Sequence, residues 1–166
     1  MTAPRLHVAL VHPEIPWNTG NVARTCLATG ATLHLVRPLG FSLASKEVRR
    51  AGLDYWETLA PQVWRSWTSF EGAAADLGEL FLFSAEAPRT LWEVAFPAPA
   101  VLVFGSESRG LPVELRRRYV PRLVCIPMRP GTVRSLNLST TVAVALYEVL
   151  RQWQCESKPR STPASE

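Results

Sequence analysis

Three stretches of the chain concentrate the side chains suited to chemistry: PEIPWNTGNVAR (Pro13 to Arg24), FGSESRGLP (Phe104 to Pro112) and IPMRPGTVRSLNLS (Ile126 to Ser139). Each mixes glycine with hydroxyl and guanidinium groups, the first and third add asparagine amides, and each directly follows an apolar run. The third leads into a long apolar helix. A helix needs one capping side chain at its start, and Ser135, Asn137 and Ser139 are all candidates. Three candidates plus Arg134 exceed that need, so the surplus points to a polar ligand held at the helix N-terminus.

Other chemistries lose support. His7, His12 and His34 are scattered without ligand spacing, and Cys26, Cys125 and Cys155 form no C-x-x-C pair, so no metal site is expected. Cys26 and Cys125 sit in apolar runs, where a reduced, buried thiol is the ordinary reading. G-x-G-x-x-G after the first strand and the Walker G-x-x-x-x-G-K are both missing, which disfavours ordinary dinucleotide and P-loop readings. Net charge is +4 with a pI near 9.3, and 16 of the 18 basic residues are arginine, whose planar fork suits phosphate. No apolar run approaches the ~20 residues of a membrane span. The N-terminus, with one basic residue and a strand broken by Pro13, does not read as a signal peptide, so the cytosol is the expected compartment.

Alternating elements must position these clusters. Short valine- and leucine-rich runs at Arg5 to Val11, Thr32 to Val36, Glu79 to Ala85, Ala100 to Gly105 and Arg122 to Pro127 predict strands. Helices are expected from Asn18 or Thr19, as cap, to Thr29 with Gly30 as stop, over Ser45 to Tyr55, over Ser69 to Leu77, at PVELRRRY with Pro112 in its first turn, and from Asn137 to Gln154. Strands apolar throughout, alternating with helices, predict an α/β fold with a mostly parallel sheet covered by helices on both faces. Residues 1–154 read as one domain and the polar tail 155–166 as disordered. The last helix carries an apolar stripe (Leu138, Val142, Leu146, Val149, Trp153) and a second row (Thr140, Val144, Tyr147, Arg151), which predicts a homodimer interface. The clusters all sit at strand ends, where ligands of parallel sheets bind, so they are expected to converge on one pocket.

Together the three stretches resemble the motifs of the SPOUT superfamily of RNA methyltransferases, most closely its TrmL-type tRNA 2′-O-methyltransferases. N-T-G-N-x-x-R (Asn18 to Arg24), F-G-S-E-S-R-G-L-P and I-P-M with R-S-L-N-L-S carry the resemblance, and RRAGLDYWE (Arg49 to Glu57) agrees with the TrmL branch. The likeness runs from about residue 5 to 153. Two departures stand out: the loop RPGTVRS is one residue longer than the usual version, and Ser106 replaces a common proline.

The resemblance implies a C-terminal deep trefoil knot, a homodimer and S-adenosylmethionine as cofactor without a metal. It implies methylation of the ribose 2′-oxygen of the wobble nucleotide, position 34, with the anticodon stem-loop of tRNA as partner. Methylation elsewhere in tRNA or rRNA, and a catalytically inactive RNA-binding SPOUT protein, are the alternatives. It further implies cofactor contacts from Phe83, Gly105, Ile126, Met128, Ser135 and Asn137. Arg24, Ser135, Asn137 and Tyr147 fall at catalytic positions. Arg24, Arg109, Arg134 and Tyr147 are expected to meet RNA. Glu107 reads as a loop organiser or the partner of a motif arginine. Gly105 reads as the place where a side chain would block a ligand. The run Arg116 to Arg118 reads equally as phosphate contact or as a solvated helix face.

Overall fold

A computed structural model describes residues 5–44 and 46–157. Its elements in chain order are β1 (Leu6–Val11), α1 (Pro16–Thr29), β2 (Thr32–Val36), α2 (Lys46–Leu59), β3 (Gln62–Trp64), α3 (Trp67–Leu77), β4 (Glu79–Phe83), β5 (Ala100–Phe104), α4 (Val113–Arg118), β6 (Leu123–Val124) and α5 (Leu138–Ser157). The strands form one sheet in the order β3-β2-β1-β5-β4-β6, and every pairing is parallel.

Burial explains why β5 is apolar at every position and β1 at every position but His7. Leu6, Val8 and Leu10 of β1, with Ala100, Leu102 and Phe104 of β5, pack under Val22 and Cys26 of α1 and Val142 and Leu146 of α5. Their alternate residues Ala9, Val11, Val101 and Val103 face Phe70 and Ala74 of α3 and Leu115 of α4. Both faces are covered, as the unbroken apolar runs require. The chain winds outward from β1 to β3 and then returns to the other side of β1, so direction reverses between β1 and β5. The carboxyl ends of those two strands flank the crevice where such sheets bind ligands.

Several boundaries differ from expectation for local reasons. α1 starts at Pro16 with Ile15 in the capping place, and Ile15 makes no side-chain cap; Asn18 and Thr19 lie inside the first turn. A proline at the first helical position fixes the backbone early. Gly30 (φ 73°) closes α1 as expected. α3 begins two residues early because Ser66 and Ser69 cap it reciprocally. Pro112 stands before α4 rather than in its first turn. β3 was not foreseen; it is three residues long and only half-buried.

β6 is shorter than its apolar run because Cys125 turns away from the sheet. Ser84 N–H donates to Val124 O at 3.0 Å on the β4 side, whereas Cys125 bonds to Arg89 O (2.8 Å) and Leu91 N–H (2.7 Å) on the other. β6 therefore runs between β4 and the chain that leaves β4. Enclosure of a late strand by an earlier loop is the local arrangement that the implied threading needs. The same loop holds the end of α5, since Trp153 Nε1–H donates to Phe96 O (2.7 Å) and Gln152 Nε2–H to Val94 O (3.0 Å). α5 extends three residues beyond its expected end; 158–166 of the expected tail lie outside the described residues. Its stripe Leu138, Val142, Leu146 and Val149 is buried, and its second row faces outward, with Val144 36% and Tyr147 57% exposed.

The unforeseen β3 completes a buried polar chain. Trp64 Nε1 can only donate, and it lies 3.1 Å from His34 Nδ1. Neutral His34 must then carry its proton on Nε2, which donates to His7 Nδ1 at 3.1 Å. Burial, and secondarily His7, lower the His34 pKa from 6.5 to about 4. Below pH 6.5 the unfolded chain takes up a proton that the folded chain refuses until about pH 4. Stability should fall across that window by about 3 kcal/mol, complete near pH 4. Urea unfolding of wild type and His34→Phe between pH 7 and 4 reads this as a loss of slope in the variant; equal slopes would reject it.

Candidate active site

A cleft of about 800 Å³ opens at the carboxyl ends of β1, β4, β5 and β6. That volume lies within the roughly 300–1,000 Å³ typical of small-molecule sites. All three polar clusters reach it: Ile15 and Asn18 from the first, Gly105 to Leu111 from the second, and Met128 with Arg134 to Leu138 from the third. A smaller apolar recess at one side is walled by Phe83, Ala85, Val124, Ile126 and Met128, with Ser135 and Thr141 at its edge.

One carboxylate ties the clusters together. Glu107 accepts from Glu14 N–H (2.7 Å), Ile15 N–H (3.0 Å) and Asn18 Nδ2–H (3.2 Å). It thus holds, from another loop, the two residues that lead into α1. Glu14 reciprocates, accepting from Ser108 Oγ–H (2.7 Å) and N–H (3.0 Å), and these bonds hold its carboxyl below the usual range. Asn18 Oδ1 then accepts from Asn137 Nδ2–H at 3.0 Å. Asn137 Oδ1 takes Ser139 N–H (2.9 Å), Ser139 Oγ–H (2.7 Å) and Thr140 N–H (3.3 Å). Asn137 is therefore the cap of α5, and both ends of its amide are committed. Ser139 serves the same cap as a donor. Ser135 is exposed, lines the cleft and makes no side-chain hydrogen bond among the described residues, so its hydroxyl is available to a ligand.

Gly105 proves necessary for a reason other than ligand approach. A Cβ there would lie 2.0 Å from Gly110 C and Leu111 N. The loop folds back on itself, with Ser106 N–H donating to Gly110 O (3.1 Å), Gly110 N–H to Ser106 O (2.9 Å) and Gly110 at φ 66°. Ser106 uses an N–H that a proline would lack. The fold-back presents Glu107 and Ser108 to α1.

The remaining expected residues divide. Phe83, Gly105, Met128, Arg109, Arg134, Ser135 and Asn137 all border the cleft, and Ile126 borders the recess. Neither Arg109 nor Arg134 pairs with an acid among the described residues. Arg24 and Tyr147 do not line the cleft. Arg24 is exposed on α1 with its guanidinium 5.4 Å from the Tyr55 ring centre, and Tyr147 is exposed on α5. The run Arg116 to Arg118 is not one solvated face: Arg118 pairs with Glu71 (3.1 Å), Arg116 pairs with Glu86 and lines the cleft, and Arg117 is exposed. Sequence reasoning missed Glu14, Asn18, Glu86 and Arg116 as site-building residues. A lone acid in each of the first two clusters was the available signal for their mutual bonds.

Burial pushes the Cys26 thiol up to about 12 and also raises Cys125, so both favour the neutral thiol. Among the described residues no group of three His, Cys, Asp or Glu could hold a metal, and no helix is long and apolar enough to cross a membrane.

Comparison with known proteins agrees with this geometry. The sequence profile of the SpoU rRNA Methylase family matches residues 5–147. The chain belongs to that family. It is 49% identical over 148 residues to a tRNA (cytidine(34)-2′-O)-methyltransferase of Burkholderia ambifaria, covering 88% of this chain and 94% of that one. A solved structure described as giving insights into the 2-OH methylation of C/U34 on tRNA is 47% identical and superposes with a TM-score of 0.85, covering 92% of this chain and 99% of that one. An AdoMet-bound rRNA methyltransferase from Sinorhizobium meliloti is 29% identical with a TM-score of 0.76, covering 89% of this chain and 56% of that one.

Two substitutions separate scaffold from ligand contact. Asn137→Ala should cost about 1–2 kcal/mol of stability through the lost cap. Ser135→Ala, an exposed change, should stay within about 0.5 kcal/mol of wild type while weakening ligand binding in the cleft. Chemical unfolding beside calorimetric titration with S-adenosylhomocysteine checks both; equal stability in the two variants would remove Asn137 from its structural role.

Proposed function

We propose that this chain transfers a methyl group from S-adenosylmethionine to the ribose 2′-oxygen of the wobble nucleotide, position 34, of tRNA, in the cytosol. The observation that carries the reading is the cleft itself: three polar clusters locked together at strand ends beside an apolar recess. Family membership and relatives named for cytidine-34 methylation support the reaction and its target. The AdoMet-bound relative supports the cofactor.

The donor set suits that cofactor. Phe83, Ile126 and Met128 offer the adenine an apolar slot. Backbone around Gly105 and the unpartnered Ser135 hydroxyl offer polar contacts to the sugar and the amino-acid end. Bound there, S-adenosylmethionine supplies an electrophilic methyl on a positively charged sulfur. Transfer forms a carbon–oxygen bond as the carbon–sulfur bond breaks, and the 2′-hydroxyl proton leaves to solvent or a nearby base. The chain's contribution is alignment, which for such a displacement is worth much of the barrier. Arg109 and Arg134, neither in a salt bridge among the described residues, suit phosphates of the anticodon stem-loop.

Arg24 belongs to this mechanism as a positioning and charge-stabilising group. A guanidinium keeps its proton up to pH ~12 and seldom acts as a base. Arg24 and Tyr147 lie outside their own chain's cleft, and a homodimer supplies what one chain lacks. Exposed Ile15, Trp17, Val144 and Tyr147 give α1 and α5 an apolar outer face, and Ile15 also borders the cleft. A second copy on this face stands beside the cleft. Val144→Glu should shift the protein to monomer in sedimentation at micromolar concentration and weaken RNA binding with it; a wild-type monomer would overturn the dimer.

Mapping 2′-O-methylation in tRNA from cells lacking the gene tests the target, and loss at a position other than 34 would move it. For Arg24, single-turnover rates against pH decide the role. Arg24→Ala should lose about 2–4 kcal/mol of transition-state stabilisation, and Arg24→Lys should retain partial activity with an unshifted profile. A profile shifted to lower pH by lysine would make Arg24 the base, and full activity of Arg24→Ala would exclude both roles.

A further inference from the structure

One ion pair in the cleft wall serves neither the hydrogen-bonded clusters nor the RNA contacts. Glu86, three residues past β4, meets Arg116 of α4, and both border the cleft. Surface pairs of this kind contribute little to stability. This one is not fully at the surface. The Arg116 side chain is 26% exposed, and its Nε is buried without a partner. Holding a guanidinium there costs desolvation that one exposed carboxylate repays poorly. A bound ligand would give the arrangement a use.

The geometry also says which part of a ligand. Arg116 Nη1–H donates to Glu86 Oε2, leaving Oε1 with no hydrogen bond among the described residues. Glu86 N–H donates to Ser84 Oγ at 3.3 Å, which fixes the turn. Ser84 and Ala85 line the apolar recess, and Glu86, the next residue, borders the cleft into which that recess opens. In a nucleoside whose base fills an apolar slot, the next polar atoms out are the ribose hydroxyls. Both are donors, and a carboxylate is the acceptor that open α/β folds use for them.

We propose that Glu86 accepts hydrogen bonds from the ribose hydroxyls of the adenosyl ligand and that Arg116 is the positioning residue that aims it. The inference rests on the cofactor reading above. It assigns to Glu86 the discrimination of ribose from deoxyribose in the cofactor, and to Arg116 the orientation of that acceptor.

The test is calorimetric binding of S-adenosylhomocysteine and its 2′,3′-dideoxy analogue to wild type, Glu86→Leu, Arg116→Met and Arg116→Lys. Hydrogen bonds to a charged group predict that wild type prefers the ribose form by about tenfold or more. Glu86→Leu should bind the ribose form weaker by the same factor and the dideoxy form unchanged, which also proves the variant folded. Arg116→Met should lose most of the preference and Arg116→Lys should restore part of it, again with the dideoxy affinity constant. A preference that survives intact in Glu86→Leu, or that is missing from wild type, overturns the assignment while leaving the cofactor reading in place. Failure of wild type to bind either compound overturns the cofactor reading and this assignment with it.

Discussion

Helix α1 begins with a proline and has isoleucine where a capping side chain belongs, so the chain entering it is fixed from elsewhere. Glu107 fixes that entry through the N–H groups of Glu14 and Ile15, and the geometry of the whole cleft follows from its reach. A hydrogen bond to a charged group contributes about 1.5–3 kcal/mol, and an abandoned buried donor costs a similar amount. Glu107 takes two backbone donors and the Asn18 amide at once. To stand there it needs the fold-back of residues 106–110, which needs Gly105 to lack a side chain and Gly110 to take a positive φ. Asn18, oriented by Glu107, then orients Asn137, and Asn137 starts α5. Three segments far apart in sequence are thereby held in one register.

Much of this was legible before any coordinates. Unbroken apolar runs such as LHVALV and AVLVF require two covered faces, so a parallel sheet between helix layers followed from burial alone. Convergence of three polar clusters at strand ends followed from where parallel sheets bind ligands. The cluster of capping candidates before α5 marked the start of that helix, where Asn137 serves as cap. The choice among them was not legible, because local spacing permits Ser135, Asn137 or Ser139. What selects Asn137 is a donor partner 119 residues away in sequence. A long-range bond leaves no local trace.

The same limit explains Gly105 and the missed β3. A glycine at a strand end invites the idea of a ligand approaching, whereas the atoms that approach are the chain's own Gly110 and Leu111. β3 has only three residues, beside a proline and a positive-φ alanine, too short for any periodic signal. It is defined by the edge of β2 and by Trp64 reaching His34. Arg24 shows the opposite case. Its motif position attracts a catalytic reading, and its place in one chain is a stacked, solvent-facing arginine over Tyr55.

An in-line methyl transfer asks little of acid–base chemistry and much of alignment, because three atoms must be collinear within a few tenths of an ångström for the bond orders to exchange. Flexible loops at strand ends are poor instruments for that purpose unless something removes their freedom. Here the freedom is removed by pairing the loops with one another through side chains that also hold helix entries: Glu107 at the entry to α1, Asn137 at the cap of α5, and Glu14 returning to Ser108. Each bond fixes a helix entry and a cleft wall together. Stability and positioning are therefore not separable at Glu107, Asn18 and Asn137, and substitutions there will perturb both. They are separable at Ser135, whose hydroxyl the fold does not use, and at Glu86, whose second oxygen the fold leaves free. Side chains that keep unspent hydrogen-bonding capacity beside this network are the ones a ligand can use without loosening the fold.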